Sequence, residues 1–416
     1  MKKQKRFSWS QLLLWAHVVN LVGFYIVLWF RTNPKAAKPG QVSPASSSLT
    51  PATGKFVSII LPARNEERNI RRCVESLLEQ DYESYEVIVV DDDSTDGTSR
   101  ILDDIARVHP HADRLWVLRL RESPQGWAGK PYALHAGIQE ARGDWLLFTD
   151  ADTWHAPGAL RSAVAQAVSE KVDLLSLSSN QELPGFWDKV MMPLAYIGMS
   201  MQYPASKVND PNSPVAIANG QYILLRREVY DLLGGYSRPD LRNTLLDDRD
   251  LAMLVKANGF RLRFVDGQCL VHARMYEGLA EIWRGWRKNA FLGSRGGPAF
   301  LLLMLIGLPM TGMVPFLLPL LGWLLRGKHT RSITSTELNV AALLELTPLI
   351  AYRTWLNREL KVPWYYAFTH PLASALFEGI LAQSSWRVLT RKGVDWRGRQ
   401  YYDTPSTQMR RECPLL

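Results

Sequence analysis

Three acidic clusters in this 416-residue chain have the residue types and spacing for chemistry. Asp150-Ala151-Asp152 sets two hard oxygen donors one residue apart, a pattern that suits Mg²⁺ or Mn²⁺. Such an ion also binds phosphate oxygens and helps a phosphorylated group leave by neutralising developing charge. The second cluster is Asp91-Asp92-Asp93-Ser94, and the third is Asp247-Asp248. A carboxylate within hydrogen-bond reach of a hydroxyl can take its proton as the oxygen attacks. Each cluster also has a plainer reading, because Asp favours turns and helix starts. Asp91–Ser94 fits a capped turn, and Asp247 or Asp248 fits the cap of a helix over Leu251–Ala257. Capping and proton transfer are compatible.

These groups need a scaffold, and the apolar runs around them supply one. Val57–Leu61, Glu86–Val90, Leu115–Leu120 and Trp145–Thr149 read as strands. Helices are expected over Glu66–Leu78, with Asn65 as cap, from about Thr98, and over Pro131–Arg142. Strands alternating with helices at this spacing imply parallel βαβ units. Ligands then bind beyond the carboxyl ends of the strands, where Asp91–Ser94 and Asp150–Asp152 stand.

Net charge is +9, from 49 Lys+Arg against 40 Asp+Glu. By region, residues 1–50 carry +7, residues 51–297 carry −4 and residues 298–416 carry +6. The basic excess therefore lies at the two ends, which argues against nucleic acid and for an anionic membrane surface. The three cysteines, Cys73, Cys269 and Cys413, form no C-x-x-C pair, which excludes a disulfide scaffold and zinc-site spacing.

The ends are also apolar. Ser8–Phe30 holds no charged residue, and Leu12–Phe30 is long enough at 1.5 Å per residue to cross about 30 Å of hydrocarbon. It reads as an anchor rather than a signal peptide, being longer than a usual apolar core of about 7–15 residues and followed by Arg31 without a small-residue cleavage site. Pro298–Leu325 is uncharged but broken by Pro309, Pro315 and Pro319. Asn339–Tyr352, with Glu345 inside it, is short enough for an interfacial or re-entrant piece, and Pro363–Trp386 contains Glu378. The expected order is a basic tail (1–8), a transmembrane helix (9–30), a flexible linker (31–54), a catalytic domain (55–297), a membrane region of two or three apolar segments (298–386) and a basic tail (387–416). Arg387, Arg391, Lys392, Arg397 and Arg399 place that tail in the cytoplasm by the positive-inside tendency.

VSIILPARNEERNI, EVIVVDDDSTDGT, GKPYALHAGIQEARGDWLLFTDAD and LLDDRDLAML, in this order, resemble the family 2 glycosyltransferases of GT-A fold. The resemblance covers roughly residues 55–290. It implies an α/β, Rossmann-like nucleotide-diphospho-sugar transferase domain flanked by N- and C-terminal transmembrane helices, with its catalytic domain cytoplasmic. By the family pattern, Pro62, Ala63, Glu66 and Asp92 contact the donor nucleotide, and Lys130 and Asp150 lie by its phosphates. Asp150 and Asp152 hold Mg²⁺ or Mn²⁺, Asp248 is the base and Asp247 its companion. Asn219, Gly220 and Gln221 border the acceptor.

Phe186–Tyr203, rich in aromatics and Met, fits an acceptor wall, an interfacial helix or core packing. Glu281–Phe291 mixes Trp283 and Trp286 with Arg284, Arg287 and Lys288, as suits a headgroup layer, and Trp286 is a further acceptor-region candidate. Processive synthases of the family carry Q-x-x-R-W near this point. Arg284-Gly285-Trp286-Arg287-Lys288 departs from it, which favours transfer of one sugar. GQYILLRREVY and HARMYEGL are similar to membrane glycosyltransferases of carotenoid and hopanoid pathways. His272, in the second of these, reads as a structural residue of a strand or as a ligand. The expected function is inverting transfer of a hexosyl or deoxyhexosyl group from a nucleotide-sugar to a hydroxyl of a hydrophobic acceptor, a carotenoid, in an integral membrane protein. The alternatives are a polyprenyl-phosphate or other glycolipid acceptor, and an inactive membrane scaffold. Asp92, Asp150, Asp152 and Asp248 argue against the scaffold.

Overall fold

In the computed structural model, residues 8–32, 54–292, 297–326, 333–390, 394–396 and 399–401 are described. Most of the expected linker, of the N-terminal basic tail and of the C-terminal basic tail lies outside the described residues. The chain divides into two units, Met1–Val27 with Gly185–Ala195 and Glu277–Leu416, and Leu28–Pro184 with Tyr196–Tyr276.

The second unit is built on a seven-stranded sheet of order β3-β2-β1-β4-β8-β6-β9. Its strands are β1 (Val57–Ala63), β2 (Tyr85–Asp92), β3 (Leu115–Leu120), β4 (Trp145–Phe148), β6 (Leu174–Ser178), β8 (Ile223–Arg226) and β9 (Leu262–Asp266). β1 runs parallel to β2 and β4, and β2 to β3, which is the expected βαβ core. β8 is antiparallel to both β4 and β6. A small second sheet pairs β10 (Val271–Ala273) with β5 (Thr153–His155) and β7 (Asn180–Gln181).

Alternation along the strands divides the core between two faces. Val57, Ile59 and Leu61 of β1, with Val87 and Val89 of β2, pack with α2 (Ile70–Leu78), α3 (Thr98–Val108) and α5 (Ala159–Ser169). Ile60, Ile88 and Val90 face the other way, with α4 (Gly129–Glu140), α8 (Arg227–Leu233) and α10 (Asp247–Ala257). The result is helix, sheet, helix, with the catalytic candidates at one end. The short helices α7 (Ala205–Val208) and α9 (Pro239–Arg242) complete this unit.

Two expected helix starts are corrected. α2 begins at Ile70 behind Asn69, so Asn65 is not its cap. Asn65 instead adopts a left-handed backbone, φ 54°, and its Oδ1 accepts the amide of Thr95 at 2.8 Å. α10 begins at Asp247, so Asp247 and Asp248 are first-turn residues and not caps.

The first unit is helical. α1 (Trp9–Thr32) contains a 23-residue stretch of mean hydropathy 1.9, long and apolar enough to cross a membrane. α6 (Phe186–Gln202) passes from this unit into the other at Ala195, and its Met191 and Met192 are buried, which favours core packing for that stretch. After α11 (Leu279–Leu292), the proline-broken run becomes α12 (Gly297–Gly312) and α13 (Val314–Leu324), bent by 50° at the break. The short segment expected at Asn339–Tyr352 lies within the 25-residue α14 (Ser335–Glu359), which a Thr334–Glu337 capping box opens. α15 (His370–Leu389) follows a 3-10 turn over Trp364–Thr369, and β11 (Val394–Trp396) pairs with β12 (Arg399–Tyr401).

α1 and α14 run parallel, since their partners advance together. Gln11 donates to Glu337 at 2.7 Å, His17 Nδ1 lies 2.7 Å from Glu345 Oε1, and Tyr25 stacks near Tyr352. Glu345 is fully buried, so His17 supplies the partner that an acid in an apolar bundle requires.

Candidate active site

The topology assembles one carboxylate cluster. β4 ends at Phe148, and antiparallel β8 starts opposite it, with Ile223 paired to Phe148. Asp150, just past β4, is therefore brought beside Gly220, just before β8. An added Cβ at Gly220 would lie 3.1 Å from Asp150 Oδ2, 3.2 Å from Lys130 Nζ and 3.5 Å from Asp248 Oδ2. A side chain here would press on Asp150 and Lys130 and touch Asp248, which favours glycine. The Gly220 amide donates to Asp248 Oδ2 at 3.3 Å.

Lys130 stands at the centre. Its Nζ lies 2.8 Å from Asp150 Oδ1 and 3.1 Å from Asp247 Oδ2. In the first turn of α4 an ammonium faces the positive end of a helix dipole, so carboxylates must hold it there. Burial works against its charge, but Asp150, Asp247 and Asp248 together outweigh that and raise its pKa above the ordinary lysine value. The family pattern puts Lys130 beside donor phosphates; here its counter-charges are the chain's own acids.

Burial, then the charge of Asp247, pushes Asp248 up to about 6, against the pull of Lys130. A carboxylate so placed is a stronger base than an exposed one and still ionised at neutral pH. Tyr236 escaped the sequence reasoning. Its buried hydroxyl has no hydrogen-bond partner among the described residues, and the charges of Asp247, Asp248 and Asp150 reach it. Burial and those charges hold it neutral, well above the usual tyrosine range. A Cβ at Gly235 would overlap the Tyr230 ring, at 2.0 Å from Cζ. The Gly234-Gly235-Tyr236 sequence was the available signal.

The loops after β1 and β2 form a second part of the site. Asp92 is buried at the end of β2, and Arg64 donates to its carbonyl at 2.5 Å. The Glu66 amide donates to Thr98 Oγ1 at 2.8 Å, and Glu67 Oε2 accepts the Gly97 amide at 2.8 Å. Pro62 and Ala63 belong to β1 itself, leading into this stitched pair of loops. Arg64 lies within the Pro62–Glu66 stretch expected at the nucleotide, whereas Glu67 and Thr98 were not among the sequence candidates, because only the tertiary pairing reveals them.

Of Asn219-Gly220-Gln221, only Gly220 reaches the carboxylates. Asn219 Nδ2 donates to the Leu177 carbonyl at 3.1 Å. Gln221 Oε1 accepts from Ser179 and from Gln181 Nε2, the latter at 2.8 Å, and its side chain is buried. Asn219 and Gln221 thus brace the turn from inside. Trp286 belongs to the other unit, where it meets Phe377 edge-on with ring centroids 5.7 Å apart. His272 stacks on Trp154 at 5.4 Å and pairs with Asn180 at 3.0 Å, which makes it part of the small sheet.

The donor set expected for a divalent ion is Asp150 with Asp152. Among the described residues no three His, Cys, Asp or Glu side chains converge as a metal site. Two hard carboxylates fit an ion that completes its shell with phosphate oxygens and water, as Mg²⁺ does.

The comparisons come from three directions. Residues 58–234 match the family model described as glycosyl transferase family 2. The 4,4'-diaponeurosporenoate glycosyltransferase of Staphylococcus aureus (strain USA300) is 28% identical over 356 residues, covering 83% of this chain and 88% of the relative. The same-named protein of strain bovine RF122 / ET3-1 is 26% identical over 359 residues, with the same coverage. In structure, the chain is similar to the mannosyltransferase PcManGT from Pyrobaculum calidifontis in complex with GDP-Man and Mn2+. The TM-score is 0.50 at 20% identity, over 91% of this chain and 99% of the other. That likeness concerns the fold.

Proposed function

We propose that this chain, a family 2 glycosyltransferase resembling those of the carotenoid pathway, transfers one sugar, with inversion, from a nucleotide-sugar to a lipophilic acceptor. The observation that carries this reading is the placement of Asp248 beside Gly220, Lys130 and Asp150 at the carboxyl ends of the strands. In the proposed step the acceptor hydroxyl attacks the anomeric carbon while Asp248 takes its proton. The bond from that carbon to the diphosphate oxygen breaks, and the nucleoside diphosphate leaves with the electron pair. A single displacement inverts the centre, by analogy with inverting hydrolysis.

Asp150 and Asp152 would hold a divalent cation, whose role when bound is to neutralise charge developing on the diphosphate. Lys130 would keep Asp150 and Asp247 oriented and lend positive charge to the departing phosphates. Pro62, Ala63, Glu66 and Asp92 would bound the nucleotide pocket, and Gly220 would let an acceptor approach Asp248. We place the chain in the membrane through α1 and segments of the region from α12 to α15, with its catalytic unit on the cytoplasmic side.

The acceptor is a carotenoid in our reading, because the S. aureus relative is named for one. That name denotes an acid, which favours a second reading: a carboxylate or phosphate acceptor that attacks as an anion and needs no base. The test is transfer from a panel of labelled sugar nucleotides, by the purified chain with Mn²⁺, to lipid extracted from a strain lacking it. A single monoglycosylated lipid of inverted configuration is the expected product. Polymer, or no transfer from any donor, would refute the reading. Asp152→Ala should abolish the response to Mn²⁺, and an unchanged response would remove the metal assignment.

A further inference from the structure

The helical unit contains a cation with no counter-charge among the described residues. Arg353, on α14, is fully buried, and none of its Nε, Nη1 and Nη2 atoms has a hydrogen-bond partner among the described residues. The ionisable groups whose charges bear on it are Tyr25, Tyr352 and His370, with no carboxylate among them. His370 is 2% exposed and its Nδ1 is likewise unpartnered. It opens α15, whose N-terminal end adds partial positive charge. Arginine carries five donors and no acceptor. A buried, unpaired guanidinium is strongly unfavourable, so its natural complement is an oxyanion, which it can grip through two parallel hydrogen bonds.

The surroundings are fixed rather than loose. Asn357 bridges the Arg353 carbonyl and the Ala367 amide, both at 3.2 Å once its amide is oriented to satisfy both. At the bend between α12 and α13, a Cβ on Gly312 would sit 2.1 Å from Ser374 Oγ and 3.4 Å from His370 Nε2. Glycine there lets the backbone press close to His370. Leu302, Ile306, Leu317, Leu320, Leu343 and Leu344 on α12, α13 and α14 are exposed, which is the surface of helices bathed in an apolar medium. An anion arriving through such a medium needs an apolar body of its own.

We infer that Arg353 and His370 form an oxyanion site for the acidic head of a lipophilic molecule, a carboxylate or a phosphate. Neither group belongs to the carboxylate cluster, and binding is read without turnover, so this inference and the transfer reading fail separately. The probe is cis-parinaric acid, a fluorescent long-chain acid, added to the full-length protein in neutral detergent. Saturable binding is expected, displaced by oleate and not by oleyl alcohol. Displacement by oleate but not dioleoyl phosphatidate assigns a carboxylate, and stronger displacement by the phosphatidate assigns a phosphate. Arg353→Met should weaken binding about tenfold to a hundredfold, the worth of charged hydrogen bonds. Arg353→Lys, which keeps the charge without the fork, should fall between. His370→Gln should cost less than Arg353→Met. Equal displacement by oleate and oleyl alcohol in the wild-type protein overturns the site without recourse to any variant, as does unchanged affinity in a folded Arg353→Met protein.

Discussion

Lys130 and Arg353 are two cations held inside two units of one chain, and their surroundings differ in kind. Lys130 has three carboxylates about it, Asp150, Asp247 and Asp248. Arg353 has tyrosines and a histidine. A cation with internal counter-charges organises a site whose acids it holds together. A cation without them calls for a charge that the described residues do not supply. In the same unit the buried acid Glu345 is met by His17 at 2.7 Å.

Removing the base from the first group should have the largest effect. Asp248→Asn is expected to lower kcat by about 10²–10⁴-fold with a hydroxyl acceptor, measured with donor affinity monitored in parallel. Near-normal activity would select the anionic acceptor instead. Next is His17→Leu, which leaves Glu345 buried and alone. It should cost about 3–5 kcal/mol, seen as a lower melting temperature in detergent, and a His17→Leu/Glu345→Leu pair should recover much of it. Lys130→Met should cut activity about 100-fold, since unneutralised acids move apart and small misplacements carry that penalty. Gly220→Ala, which puts a methyl beside three charges, should cost roughly tenfold, or about 1.4 kcal/mol.

The mildest test is pH. As the proposed base, Asp248 would act only when ionised, so kcat/KM should fall about tenfold per pH unit below about 6 and level off above it. Asp247→Asn removes a charge that raises that pKa, so the fall should move to lower pH. A profile unmoved by Asp247→Asn would separate the two acids and weaken the view of them as one group.

What could be read from the sequence was what neighbours in the chain decide. Val57–Leu61 and Glu86–Val90 are strands because their residues pack on both faces, and Asp150 follows β4 by simple adjacency. Asn65 looked like a cap because cap and turn residues share a chemistry; its left-handed backbone and its bond to Thr95 depend on a loop 30 residues away. Gln221 reads as an acceptor-side residue in sequence, and only the fold brings Ser179 and Gln181 to its Oε1. α14 looked too short because Glu345 interrupts its apolar run, and a hydropathy window cannot see His17. Tyr236 and Arg353 were overlooked for the same reason, since a lone Tyr or Arg acquires meaning only from what fails to surround it.

The parallel course of α1 and α14 has a consequence for how the protein is made. His17 leaves the ribosome long before Glu345, which lies 328 residues further on. On the proposed membrane reading of α1, His17 waits through all of that synthesis for its partner acid. α14 then enters with its acid already provided for, in the same direction as the helix that receives it. The earliest helix thus serves as a template for one of the last, and the helical unit closes only after α14 has been made.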